Sequence, residues 1–171
     1  MSFSRPKKGK KVVILSPPEN AQILFRHLRS KEQVDPNSNI HPAPNMVQVK
    51  SKREQDGRNV MLDFYVDGQF GSAKGSFLAL LIDARAVVFV ASNSQSDSLD
   101  KLTTMLATSS MIPGRKFLVI ADEVPAEASA LKAEYVDSWS KSRGCQAVIH
   151  IESTTGTGVD DLMQRVATSL A

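Results

Sequence analysis

The sequence predicts an α/β fold with a six-stranded, mostly parallel sheet, one antiparallel edge strand, and about five helices on both faces. Three observations predict it. Short apolar runs alternate with segments of helical spacing, a hairpin signature follows the first pair, and three more strand–helix pairs complete the chain. The 171 residues suit one globular domain, with 42% hydrophobic and 23% charged residues. We expect a flexible basic leader over residues 1–11 and one domain over residues 12–171.

The first half of the domain is predicted to hold a buried strand, a helix and a hairpin. Val12 to Leu15 is a continuous apolar run, as expected for a strand buried on both faces. Apolar residues then recur at helical spacing, at Ala21, Leu24, Phe25 and Leu28. Two alternating segments flank Asp56-Gly57, which is typical of an antiparallel hairpin, and they are Met46 to Lys52 and Asn59 to Val66.

The second half repeats a strand followed by a helix. A weaker helical pattern from Gly71 to Ile82, with Phe77, Leu78 and Leu81 on one face, precedes it. The three predicted strands are Ala86 to Val90, Phe117 to Ile120 and Ala147 to Ile151. The apolar positions of the helices that follow are Leu99, Leu102, Met105 and Leu106, then Leu131, Tyr135 and Trp139 up to a stop at Gly144, then Val159, Leu162, Met163, Val166 and Leu170. In such sheets ligands bind beyond the carboxyl ends of the strands, so the loops there decide function.

Cysteine usage and hydropathy indicate a cytoplasmic protein. Cys145 is the single cysteine, so no internal disulfide can form, and its apolar surroundings favour a core or boundary role over that of a nucleophile. No stretch approaches the roughly 20 apolar residues of a transmembrane helix, and no signal peptide is recognisable.

Lysines are concentrated in the leader, at Lys7, Lys8, Lys10 and Lys11. A solubilising leader explains them most simply. The alternative is contact with an acidic partner, a phospholipid surface or a nucleic acid through charge alone. No motif for reading bases accompanies them, so we expect no specific nucleic acid partner.

Two stretches of the chain are similar to motifs of the Ras-like small GTPases, which have a P-loop NTPase fold. Glu152 to Met163 resembles the family's final "E-T-S-A-K-T-G-x-x-V-x-x-L-F" segment. Asp67-Gly68-Gln69, followed by Asp83 to Val90, resembles its "D-T-A-G-Q … D-A-x-x-V-V-V-V" passage. The resemblance covers Lys11 to Leu170 in element order. It implies a Ras-like fold and, in active members, GTP or GDP held with Mg²⁺.

The phosphate-binding loop of that family, G-x-x-x-x-G-K-[ST], is degenerate here. Without gaps it falls on Ser16-Pro17-Pro18-Glu19-Asn20-Ala21-Gln22-Ile23. Gln22 replaces the lysine that meets the phosphates, and Ile23 replaces the hydroxyl that holds Mg²⁺. The prolines offer no N–H to an anion. Ser16 and Glu19 have the spacing of a capping box with proline at the first helical position, which predicts a carboxylate where phosphate would lie. At a separation of about 4 Å and an effective dielectric near 20, the repulsion between that carboxylate and one phosphate charge is on the order of 4 kcal/mol.

The positions of the D-x-x-G motif and of the switch threonine are degenerate as well. The aspartate of D-x-x-G falls on Tyr65, or on Val66 after a one-residue shift, although Gly68 and Gln69 persist. Without a bound phosphate, Gln69 has no water to orient. No threonine lies near Pro42-Ala43-Pro44, where the switch threonine belongs.

The guanine-binding positions have also changed. N-K-x-D falls on Ala121-Asp122-Glu123-Val124, so valine replaces the guanine-selecting carboxylate. Thr154-Thr155-Gly156 is either a ligand loop or a strand-to-helix turn with an N-cap hydroxyl, and we favour the turn.

No other catalytic or metal site is predicted. His27, His41 and His150 are scattered over a helix, a loop and a strand without metal-ligand spacing, and no Gly-x-Ser-x-Gly elbow occurs. The paired carboxylates Asp122-Glu123 and Asp160-Asp161 fall in a loop and at a helix start, where solvation and the helix dipole explain them.

The resemblance therefore implies a pseudo-GTPase, which is a non-catalytic interaction or scaffold subunit of a larger protein complex. Three relatives compete. The adaptin-binding family is similar around Ser94 to Asp100, and the Rab-like intraflagellar transport protein has a G-P-x-E loop that matches Pro17 and Glu19. Centromere protein M is similar in kind only. Trafficking or ciliary transport is the expected context, on vesicles or in the cilium. The alternative is an atypical Rab-like GTPase that still binds GTP or GDP with Mg²⁺.

Overall fold

The computed structural model describes residues 8–32, 45–66, 80–106, 112 and 114–170. Within these residues the strands are β1 (Lys10–Leu15), β2 (Met46–Lys52), β3 (Asn59–Val66), β4 (Ala86–Ser92), β5 (Arg115–Asp122) and β6 (Val148–Glu152). The α-helices are α1 (Pro18–Arg29), α2 (Ser98–Leu106), α3 (Ala133–Ser142) and α4 (Val159–Ser169), and a 3₁₀ turn spans Ala126–Ala128.

The six strands form one sheet in the order β2-β3-β1-β4-β5-β6. Only β2 is antiparallel to its neighbour, and its pairing runs from Met46 opposite Tyr65 to Lys52 opposite Asn59. The remaining neighbours are parallel. The predicted six-stranded, mostly parallel sheet with one antiparallel edge strand is confirmed, as is the hairpin.

Helices cover both faces of the sheet, and each face has its own core. On one face α1 and α4 bury leucines, among them Leu24 and Leu162, against alternate strand residues. On the other face α2 and α3 bury Leu102 and Trp139. The Trp139 ring lies edge-on to Phe89, with 5.4 Å between centroids. The carboxyl ends of the parallel strands are thus held rigidly at one end of the domain.

The first strand begins at Lys10, two residues before the apolar run from Val12 that predicted it. Lys10 pairs with Leu62, and Lys11 with Asp63. The Lys11 ammonium donates to the carbonyl oxygen of Ile82 at 3.0 Å and lies 5.3 Å from the centre of the Tyr65 ring. Lys8 is exposed, and Lys7 lies outside the described residues.

The helix after β5 differs in detail from its predicted pattern. It begins at Ala133, and Val136 occupies the buried position, while Tyr135 is 40% exposed. The Tyr135 hydroxyl donates to the Asp100 carboxylate, and this hydrogen bond keeps the ring at the surface. The stop at Gly144 is confirmed, with φ +71° just beyond the helix.

Two further predictions concern the neighbourhood of the second core. Most of the helix predicted within residues 71–82 lies outside the described residues, although Leu81 is buried in this core. Cys145 is half-buried and packs against the same core, in agreement with a boundary role.

Among the residues described, no helix combines the length and the apolar character that crossing a bilayer requires.

Candidate functional site

The connection between β1 and α1 consists of two residues, Ser16 and Pro17. The helix begins at Pro18, so the last six of the eight phosphate-loop positions are helical. The N–H groups of Asn20 and Ala21 both donate to the Pro17 carbonyl oxygen, at 3.0 and 3.1 Å. A phosphate loop instead turns successive N–H groups inward around an anion. Here two of those donors are used within the first helical turn.

The predicted capping box does not form. The Ser16 hydroxyl donates to the Pro17 carbonyl oxygen at 2.9 Å, and Pro17 is the cap residue, with no side-chain hydrogen bond. Pro17 has φ −51° and ψ 142°. A residue that precedes proline is sterically kept out of the α region, so Pro17 stays extended and the helix starts at Pro18. This moves the start by one residue and leaves Ser16 outside the helix.

The side chains of the degenerate loop also point to a structural role. Glu19 is exposed, and its carboxylate lies 3.9 Å from the Lys101 ammonium instead of folding back onto the cap. Gln22 is exposed on the helix and Ile23 is half-buried. Asn20 is 1% exposed, and among the described residues its Nδ2 has no hydrogen-bond partner.

Carboxylates gather at the end of the domain where the parallel strands terminate. We call this set the acidic end: Glu19, Asp97, Asp122, Glu123, Glu152 and Asp160. The Lys101 ammonium lies 3.7 Å from the Asp97 carboxylate, and the Lys31 ammonium lies 3.3 Å from the Asp160 carboxylate. Both pairs are solvent-exposed, so each contributes little to stability. A nucleotide brought here would meet six carboxylates whose negative charge these two lysines offset only in part.

The loop after β5, which aligns with the guanine-reading motif, is held by Asn93. The Asn93 Oδ1 accepts from the N–H groups of Glu123 and Val124, at 2.8 and 3.2 Å. Its Nδ2 donates to the Val124 carbonyl oxygen at 2.8 Å. Asn93 is 3% exposed, because it directly follows the buried strand β4. Sequence reasoning missed Asn93. A polar residue at the carboxyl end of a buried strand was the available signal.

The acidic side chains of this loop have partners of their own. The Glu123 carboxylate accepts from the hydroxyls of Ser92 and Ser94, the latter at 2.7 Å. The Asp122 carboxylate lies 3.0 Å from Nδ1 of His150 on the neighbouring strand. Ala121 is buried within β5. These contacts hold the loop against residues of the neighbouring strands β4 and β6.

The loop after β6 is tied to the first helix. The Ser153 carbonyl oxygen accepts from Arg26 Nη2 at 2.9 Å and from His27 Nε2 at 2.7 Å. Thr154 and Thr155 are both exposed, and the Thr155 hydroxyl lies 2.8 Å from that of Thr157.

The predicted N-cap hydroxyl on the last helix is wrong. The cap of α4 is Gly158, with φ +106° and no side-chain hydrogen bond. A Cβ at this position would lie 2.2 Å from the His150 carbonyl oxygen. Glycine is required because the helix start presses against the backbone of β6.

A cleft of about 730 Å³ lies between β6 and α3, beside the loop that Asn93 holds. Apolar side chains line part of it, including Leu131, Val136 and Val148. Its polar lining includes four carboxylates and one imidazole, from Asp122, Glu123, Asp137, Glu152 and His150. The cleft can therefore accept a segment that carries both apolar and positively charged side chains.

No metal centre is assembled among the residues described, since no three His, Cys, Asp or Glu side chains lie close enough together. His27 and His150 lie on a helix and a strand, as predicted. Tyr65 is half-buried in β3. His41, Gln69 with its preceding Asp67-Gly68, and Pro42-Ala43-Pro44 lie outside the described residues.

Comparison with protein-family models gives no match for this chain, and comparison with curated proteins gives no significant relative. What the site can do must therefore be argued from its own geometry.

Proposed function

We propose that this chain is a pseudo-GTPase, a Ras-like domain that docks protein partners without a nucleotide switch. One observation carries the proposal: only two residues, Ser16 and Pro17, lie between the end of β1 and the start of α1. A phosphate cradle requires a loop whose backbone donors face a common point. The connection between β1 and α1 is too short to form such a loop. It therefore offers no binding site for the γ-phosphate, the group that orders the switch segments in active GTPases.

The sheet supports the Ras-like part of this proposal. An antiparallel hairpin at one edge, followed by three strand–helix pairs, is the element order that the resemblance implies. A dinucleotide-binding fold is built instead from two parallel halves, in the order 3-2-1-4-5-6. The antiparallel pairing of β2 with β3 disfavours that arrangement here.

Electrostatics supports the absence of GTP, GDP and Mg²⁺. The acidic end surrounds the place where a nucleotide would lie, and a carboxylate about 4 Å from a phosphate costs on the order of 4 kcal/mol at an effective dielectric near 20. Mg²⁺ alone could be attracted by carboxylates, but no three of them converge among the described residues. We therefore expect neither nucleotide nor metal, and no GTPase activity.

The cleft between β6 and α3 is the proposed docking site for a protein partner. In GTPases that the chain resembles, the helix after the fifth strand carries partners, and α3 is that helix. Four carboxylates around an apolar wall favour a basic, partly apolar segment. The resemblance suggests trafficking or ciliary transport as the context, in the cytoplasm and on vesicles or in the cilium.

Unfolding in the presence of nucleotide tests the nucleotide half of the proposal. Trp139 is the single tryptophan and is 5% exposed, so its fluorescence reports unfolding. We expect the same Tm with and without millimolar GTP or GDP plus Mg²⁺. A ligand at a hundred times its Kd stabilises by about 2.7 kcal/mol, which is readily measured. A saturable rise in Tm would establish the atypical GTPase instead.

Affinity capture from native cells tests the docking half. The cleft variant is Asp137→Lys/Glu152→Lys, which reverses two exposed charges. The matched control is Asp97→Lys/Asp161→Lys, the same charge change outside the cleft. We expect a specific partner to be lost from the cleft variant alone. Equal capture by wild type and cleft variant would reject this docking site.

A further inference from the structure

Positive charge gathers at the opposite end of the domain, where the parallel strands begin. We call this set the basic end: Lys8, Lys10, Lys52, Arg85, Arg115 and Lys116. Lys52 is on β2, while Arg115 is on β5, four strand spacings away. At about 4.8 Å per spacing, the charges extend over roughly 19 Å. The basic end is therefore a broad surface and not one contact.

These cations are free of carboxylate partners among the residues described. The acids at the same end are Glu54, Asp56, Asp63 and Asp83, and the Asp63 carboxylate accepts from the N–H of Gly9 at 3.0 Å. Asp56 is already held by Arg53 and, at 3.8 Å, by Arg58, and these contacts lower the pKa of its carboxyl. Among the described residues, the basic end therefore keeps an excess of positive charge, which an anionic partner would neutralise.

A large aliphatic side chain lies at this end as well. Ile82 is 65% exposed, more than any other large hydrophobic side chain among the described residues. The Lys11 ammonium donates to its carbonyl oxygen at 3.0 Å. Ile82 also precedes Asp83, which has φ +63°, and leads into β4 beside Arg85. The Ile82 side chain is therefore largely exposed three residues before Arg85, while its carbonyl oxygen is held by Lys11.

We propose that the basic end binds the surface of an anionic lipid bilayer, with Ile82 entering the headgroup region. Lysine and arginine near such a surface are attracted by its negative potential. An aliphatic side chain then adds the burial of apolar area. The proposal is independent of the nucleotide and partner assignments above.

The exposed isoleucine favours lipid over a nucleic acid held by charge alone. A nucleic acid held by charge binds through its phosphates and gains nothing from an aliphatic side chain. The breadth of the patch suits a flat, extended surface.

The distribution of charge over the described residues reinforces this orientation. The acidic end is opposite, so an anionic surface would attract one end and repel the other. Bound in this way, the domain would direct its cleft and acidic end away from the lipid.

Co-sedimentation with vesicles tests the proposal on the full chain. The vesicles contain phosphatidylcholine with or without one quarter phosphatidylserine. We expect binding only with phosphatidylserine, and binding that falls as salt rises, because exposed charges are screened within about 8 Å at physiological ionic strength. Arg85→Glu/Arg115→Glu should lower the partition coefficient at least about tenfold, and Ile82→Asp should lower it severalfold.

The matched control is Lys31→Glu/Lys101→Glu, which makes the same change in net charge at the acidic end. This control should keep most of the binding, and the Trp139 fluorescence of every variant should report a folded domain. Equal loss in both double variants would overturn the proposal, because net charge alone would then explain binding. The proposal would be overturned in favour of nucleic acid if the chain bound a DNA duplex more tightly than vesicles and Ile82→Asp left that binding unchanged.

Discussion

The Asn93 side chain hydrogen-bonds twice to the backbone of Val124, accepting from its N–H at 3.2 Å and donating to its carbonyl oxygen at 2.8 Å. Val124 lies in the loop after β5, at the position that the resemblance aligns with guanine selection. The Asn93 amide therefore holds this loop from within the protein. Its third contact, with the N–H of Glu123 at 2.8 Å, extends this support along the loop.

Removing this amide should destabilise the domain. Asn93→Ala leaves three backbone groups without their partner, and we expect a loss of about 2 kcal/mol, reduced by the access of water to the loop. Urea unfolding followed by Trp139 fluorescence measures it. Asn59→Ala, at the exposed start of β3, is the control and should change stability by less than about 0.5 kcal/mol. A cost for Asn93→Ala no larger than that of the control would contradict the structural role of Asn93.

Restoring the motif residues should not restore nucleotide binding. Gln22→Lys/Ile23→Thr returns the lysine and the hydroxyl, but both positions are helical and the loop before them still has two residues. We expect no binding of a fluorescent GTP analogue with Mg²⁺. Gain of micromolar affinity in this variant would mean that side chains, and not the missing loop, prevent binding.

The start of α4 should tolerate only glycine. Gly158→Ala combines a left-handed backbone, φ +106°, with a Cβ that would lie 2.2 Å from the His150 carbonyl oxygen. We expect at least about 2 kcal/mol of destabilisation. Gly144→Ala is the matched control, because its φ of +71° comes with nothing within 4 Å of the added Cβ. Its cost should stay near 1 kcal/mol. Equal costs would show that the close approach does not matter.

Cys145 should react slowly with alkylating agents at neutral pH. Burial raises the pKa of its thiol, against smaller opposing effects of Ser140, Lys116 and Arg143. The thiolate is the reactive form, so the rate at pH 7 should be well below that of free glutathione and should still be rising above pH 8.5. Unfolding in urea should remove the difference. A fast reaction in the folded protein at pH 7 would contradict this account of its surroundings.

Periodicity was sufficient to predict the sheet, because its signals are local. The turn at Asp56-Gly57 and the alternating segments beside it predicted the hairpin with the same strand bounds that the structure has. The continuous apolar runs likewise predicted the buried strands. Tyr135 was misassigned because a helical spacing does not say which neighbour its hydroxyl can reach, and Asp100 is 35 residues away.

The candidate site was only partly predictable, because its details depend on long-range contacts. The prolines predicted a helix that starts at Pro17, but a residue before proline avoids the α region, and the helix starts at Pro18. Asn93 could not be recognised as the support of the loop near Val124, since the two are 31 residues apart. The role of Gly158 was hidden for the same reason, because its constraint is the backbone of His150.

Direct extraction of bound nucleotide tests whether the β1–α1 connection can hold one. The full chain is purified under native conditions with Mg²⁺ throughout, denatured, and the released small molecules are separated by anion-exchange chromatography beside a functional small GTPase treated identically. We predict no guanine nucleotide from this protein, while the comparison GTPase yields about one per molecule. Recovery of GDP or GTP in a one-to-one ratio with this chain would contradict the account.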